Sequence, residues 1–160
     1  MIAGFPNLGP QSFSLASPID HTYNCVAWAL ERDQVHWWEP GGAPYFWPIA
    51  SAPASVSVQA YISAFRTLGY RPCRSRAPLK GWEKIAIYTA ADASFLHVAA
   101  QLTGGIWTSK LGQGPDITHH RLESLEGGLY GTVTHIMRRP DPTSRGIGRV
   151  IAAIRGLFQR

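Results

Sequence analysis

Two side chains define the chemistry open to this sequence. They are Cys25, in His21-Thr22-Tyr23-Asn24-Cys25-Val26-Ala27-Trp28-Ala29, and His97, in Phe95-Leu96-His97-Val98-Ala99-Ala100-Gln101. A thiol attacks a carbonyl as thiolate, and both a helix N-terminus and a neighbouring imidazole favour that form. The spacing of Cys25, Val26, Trp28 and Ala29 predicts a helix starting near Tyr23 or Asn24 and running to about residue 32, with Cys25 in its first turn. Free backbone N–H groups of that turn would hold the oxyanion of a tetrahedral intermediate, with the Asn24 side chain as a further donor. The plainer reading of Cys25 is a small buried residue packing as a modest hydrophobe. His97 falls on a predicted strand, sharing a face with residues 99 and 101, and is the base best placed to take the thiol proton. Its plainer reading is a strand histidine satisfied by a backbone carbonyl.

A third group commonly orients such an imidazole. Asp116, in Gly114-Pro115-Asp116-Ile117-Thr118-His119, is the first choice, and Ser109, Gln101 and His119 stay open. Trp37, Trp38 and Trp47, in a segment dense in Trp, Pro and Gly, read either as a cleft wall gripping a peptide or sugar ring or as the filling that orders a long loop. His119 and His120 are adjacent and so face opposite ways on a strand, and neither Cys-x-x-Cys nor His-Glu-x-x-His spacing occurs. No metal is expected. No phosphate-cradling glycine motif is present either, so no cofactor is expected.

The elements that must position these residues follow in order. Residues 1–20, rich in Pro and Gly, read as an irregular arm. Residues 34–53 are the long connection, and 56–68 a second helix stopped by Gly69. Residues 82–89, 95–102, 106–110 and 132–138 alternate as strands of an antiparallel sheet, with Gly104-Gly105 as a hairpin signal and a short helix over 121–126. Helices before strands predict an α+β fold with N-terminal helices packed on one face of an antiparallel β-sheet. Residues 21–140 form the expected domain. Beyond Pro140 and Pro142, residues 147–160 carry Val150, Ile151, Ile154, Leu157 and Phe158 at helical spacing with arginines opposite. This is a basic amphipathic helix that would dock on the domain, on a partner or on an anionic membrane surface.

Apolar residues make up 45% of the 160 and charged ones 16%, which suits one globular domain without a solvated charge run. The net charge of +5 sits in residues 138–160, which hold six arginines against Asp141. The preceding residues balance, so a nucleic-acid partner is not expected for the domain. No stretch is long and apolar enough to span a bilayer, and the first residues lack a basic region followed by an apolar run. With two cysteines read as thiols, the expected location is the cytoplasm, or export without a cleavable signal.

The order Cys25, His97, then a polar residue on a following strand resembles the papain-like cysteine peptidases and amidases, including the CHAP amidohydrolases. More closely, Tyr23-Asn24-Cys25-Val26-Ala27-Trp28-Ala29, Gly81-Trp82-Glu83-Lys84-Ile85-Ala86, His97-Val98-Ala99-Ala100-Gln101-Leu102 and Trp107-Thr108-Ser109-Lys110-Leu111-Gly112 look like a bacterial family of uncharacterised domains. The resemblance implies a papain-like fold and a thiol hydrolase or transferase acting on a peptide or other amide, with Cys25, His97 and Asp116 at its centre. Where papain-type enzymes carry an oxyanion-hole Gln, this chain has Ser17-Pro18-Ile19-Asp20. The alternative is a non-catalytic interaction module tethered by its basic C-terminal helix.

Overall fold

The computed structural model describes residues 4–30, 47 and 56–141. In chain order these give β1 (Phe13–Leu15), α1 (Cys25–Ala29), α2 (Val58–Thr67), β2 (Arg71–Cys73), β3 (Trp82–Thr89), β4 (Phe95–Gln101), β5 (Trp107–Lys110), β6 (Asp116–His119), a 3-10 turn (Leu122–Leu125) and β7 (Thr132–Pro140). All seven strands join one antiparallel sheet in the order β1-β6-β5-β4-β3-β7-β2.

The central strand β3 is buried without a break from Lys84 to Thr89 because both faces of the sheet are covered. Its Ile85 and Ile87 join Val98 and Met137 beneath α1 and α2, where Val26, Tyr61, Ile62 and Phe65 pack. Its Ala86 and Tyr88 face the other way, with Ala99, Trp107 and Ile117, under a layer supplied by Phe5, Leu8, Leu122, Leu125 and Tyr130. A strand buried on both sides loses polar alternation, which is why residues 84–89 read as a nearly continuous apolar run. Register shifts beside Tyr88 in the β3–β4 and β3–β7 ladders put Phe95 on the helix side together with Val98. There Phe95 stacks on Tyr61 of α2, with ring centroids 3.6 Å apart.

This corrects the expected α+β, papain-like fold. The described residues are mostly a seven-stranded antiparallel sheet with two short helices, and packing of N-terminal helices in the papain manner is absent among them. The physical reason lies in β1, β2 and β6. They have three or four residues each, too few for a periodic signal, yet they widen the sheet from four strands to seven. The arm expected to be irregular contributes β1, paired with β6 through Phe13↔His119, and sends Leu8 into the core.

Both helices start on a side-chain cap. Asn24 accepts from the Ala27 N–H at 3.1 Å, and Ser57 accepts from that of Ala60 at 3.3 Å. Near the end of the sheet the Gly127–Gly131 turn delivers Tyr130 to its face. Gly131 has φ +66, and a Cβ there would stand 2.0 Å from the Thr89 carbonyl oxygen, so only glycine fits. Trp37, Trp38, the rest of the 34–53 connection apart from Trp47, and the basic helix expected over 147–160 lie outside the described residues.

Candidate functional site

The β4–β5 ladder holds the pairs Ala100↔Thr108 and Gln101↔Trp107 and goes no further toward the start of β4. Helix α1 lies over both strands, and the Cys25 sulfur meets the β4 backbone at Val98, one residue from His97. Cys25 as a residue is half-buried, but its sulfur is turned into the protein. Burial pushes the thiol up to about 11 against the opposing pull of the Val98, Val26 and Cys25 backbone.

The α1 start is tied down by a carboxylate. Tyr23 and Ser17 both donate their hydroxyls to Asp116 Oδ2, while Asp116 Oδ1 is buried without a partner. Burial, together with the carboxylate, pushes the Tyr23 phenol up to about 12. Tyr23 stacks on Trp28 at 5.8 Å, the Trp28 indole N–H donates to Thr108 Oγ1 at 3.0 Å, and Lys110 Nζ sits 5.0 Å from the Tyr23 ring centre. Asp116 is therefore a fastening between β6 and the residue two before Cys25. It does not hold His97, whose ring nitrogens make no hydrogen bond.

His97 is fully buried. Its imidazole lies flat on the Tyr130 ring, centroids 4.0 Å apart and planes parallel, with Tyr88 at 5.4 Å. Burial, and then the neighbouring His119, hold the imidazole well below its usual range, so it is neutral at pH 7. The ring belongs to the sheet face away from α1, while the Val98 side chain faces α1. Even so the two groups share a neighbourhood, because Tyr130 is driven upward by burial and next by the charge of a Cys25 thiolate. Cys25 and His97 are thus neighbours across β4, with no hydrogen bond between them.

The other orienting candidates are engaged elsewhere. His119 Nδ1 lies 2.9 Å from the Arg121 carbonyl, which requires an N–H there, so Nε2 accepts from the Ser109 hydroxyl at 3.0 Å. Both residues are buried, on the His97 side of the sheet. The Gln101 amide donates to the Arg76 carbonyl at 2.8 Å. Asn24 spends its Oδ1 on the helix cap. Trp47 packs edge-on against Tyr61 at 5.1 Å, in the manner of core filling. A cleft of about 250 Å³ lies by the other end of α1, lined by Trp28, Tyr70, Glu83, Lys84 and Thr108 among others, and touches neither Cys25 nor His97. Sequence reasoning missed Tyr23, Ser17 and Tyr130. The glycines flanking Leu129-Tyr130 were the one available signal that this tyrosine is held in a special turn.

Residues 14–138 match the family described as "Domain of unknown function (DUF7689)", and the chain belongs to that family. Neither the curated proteins nor the solved structures include a match.

Proposed function

We propose that this DUF7689 domain is a thiol-dependent hydrolase or transferase acting on an amide or peptide bond, with Cys25 as nucleophile and His97 as base. The observation that carries the reading is a buried imidazole with both nitrogens unpartnered, on the far face of β4 from the Cys25 sulfur but stacked on the Tyr130 ring, whose phenol burial and next a Cys25 thiolate push up. A buried polar atom without a partner costs about 1–3 kcal/mol, and packing alone gives no reason to bear that twice on one ring. A neutral imidazole is in the protonation state a base requires, and catalytic contacts are often loose until substrate binds. In the proposed sequence the thiol proton passes to His97 as sulfur adds to the carbonyl, with the Cys25 and Val26 N–H groups nearest the forming oxyanion. The amine leaves with the proton from His97, and water or a second amine then releases the acyl group.

A second reading, a non-catalytic interaction module, is favoured by the protonated state of the thiol and by the missing Cys25–His97 hydrogen bond. Acylation by p-nitrophenyl acetate at pH 7, read as nitrophenolate release and as mass added to each cysteine peptide, separates the two. The enzyme reading expects acyl transfer to Cys25 in preference to Cys73, slowed about 10²-fold in His97→Asn, the scale of a general base. Equal labelling of both cysteines, or an unchanged rate in His97→Asn, rejects it in favour of the module.

A further inference from the structure

We propose that the end of the sheet made by the start of β3, the end of β4 and the end of β7 is a docking surface for an anionic phospholipid bilayer. The antiparallel register Ile85↔Ala100 and Trp82↔Pro140 brings these three strand ends together. Three large apolar side chains are exposed there: Leu79 at 42%, Trp82 at 38% and Leu102 at 42%. The turn after Leu102 closes on the segment before Leu79, since a Cβ on Gly105 would stand 3.1 Å from Pro78.

Cations frame this apolar group. Between β2 and β3 the exposed segment carries Arg74, Arg76 and Lys80, with Arg71 exposed on the adjoining edge strand. The Arg138 guanidinium lies 4.5 Å over the Trp82 ring. Two nearby acids are spent, since Glu83 pairs with Arg139 and Glu123 with Arg76. Arg71, Arg74, Lys80 and Arg138 are thus outside the ion pairs. The segment is held firmly, because the buried Lys84 ammonium donates to the Ser75 carbonyl at 2.9 Å and also to that of Ala77.

The chain leaves the domain at this end, where the Asp141 N–H donates to the Gly81 carbonyl at 2.9 Å. Residues 142–160 add Arg145, Arg149, Arg155 and Arg160 and no acid. The exposed cations of the sheet end favour a negatively charged surface as its partner. Exposed Trp and Leu amid Lys and Arg select a bilayer over a nucleic acid, since the rings and aliphatic groups enter the headgroup region while the cations stay with the phosphates. This inference does not depend on the thiol chemistry.

Co-sedimentation of the full chain with phosphatidylcholine vesicles, with and without phosphatidylserine, tests it. Binding is expected only with phosphatidylserine, and is expected to weaken with salt. Lys80→Gln and Arg74→Gln, both exposed, should each weaken it about fivefold, and Leu79→Ser should weaken it further at high salt. A chain with the four tail arginines 145, 149, 155 and 160 all changed to Gln should still bind, more weakly. Circular dichroism checks that each variant is folded. Vesicle binding unchanged by Lys80→Gln, Arg74→Gln and Leu79→Ser, binding abolished by the tail changes alone, or binding to a DNA duplex without binding to vesicles would each overturn the proposal.

Discussion

The imidazole of His97 and the phenol ring of Tyr130 lie parallel at 4.0 Å, inside the protein and on the face of the sheet opposite α1. This stack fixes the ring plane without using either nitrogen, which leaves His97 oriented by packing rather than by a carboxylate. Burial of the same imidazole makes folding sensitive to acid.

With its folded value held well below the usual 6.5, His97 takes a proton in the unfolded chain long before it does so in the folded one. Stability from this group is therefore complete above about pH 6.5 and is lost as pH falls below that, by up to about 1.4 kcal/mol per pH unit. His119, also lowered by burial, acts in the same direction. Urea unfolding at pH 7.5 and at pH 5 should show the loss. His97→Phe, which keeps the stack on Tyr130, should shrink the difference by roughly half. An unchanged difference would remove His97 as its source.

Cys25 should behave as a hindered, fully protonated thiol in the resting protein. Its alkylation by iodoacetamide, followed by peptide mass, is expected to climb with pH and to show no plateau below about 11, the value to which burial pushes it. A plateau near neutral pH would instead reveal a thiolate already formed at rest.

Asp116 is expected to act through the α1 start and not through His97. Asp116→Asn replaces the charged acceptor by a neutral amide and Tyr23→Phe removes the donor, so each weakens the same contact, at about 1–3 kcal/mol apiece. Combined, they should cost less than their sum, because the contact is lost only once. The acid sensitivity assigned to His97 should survive in Asp116→Asn. Strict additivity in chemical denaturation, or a changed acid limb, would contradict the assignment.

Asn24→Ala should destabilise by about 1 kcal/mol through loss of the α1 cap, and Asn24→Ser, which restores an acceptor, should recover most of it. Thermal unfolding of the two variants makes the comparison. Equal losses would mean that Asn24 matters for something other than its cap.

How much of this could be read beforehand varied with element length. The strand expected over 82–89 matches β3, and those over 95–102, 106–110 and 132–138 match β4, β5 and β7 within two residues at each end, because each pairs β-branched or aromatic residues with clear turns. The 56–68 helix appears as Val58–Thr67 and ends before Gly69 at φ +89. Strands β1, β2 and β6 were illegible. Arg71-Pro72-Cys73 has no apolar alternation and is a strand only because β7 pairs with it. At the site, Cys25 at a helix start was legible from spacing. The part played by Asp116 was not, since it depends on Ser17 and Tyr23 arriving from 99 and 93 residues away. Nor could alternation alone show that His97 faces a tyrosine from a glycine-flanked turn.

Strand β7, the last of the described strands, sits between β3 and β2 instead of at a margin. While the polypeptide is being synthesised, β3 therefore waits with one flank bare, and β2 has nothing to hold it, until residues 132–140 have left the ribosome. Until then the sheet has a gap beside β3 that no other described strand fills. A stalled or shortened product ending before Thr132 would present Ile85 and Ile87 on an open strand edge, and would be a target for chaperones or proteases rather than a partly working protein.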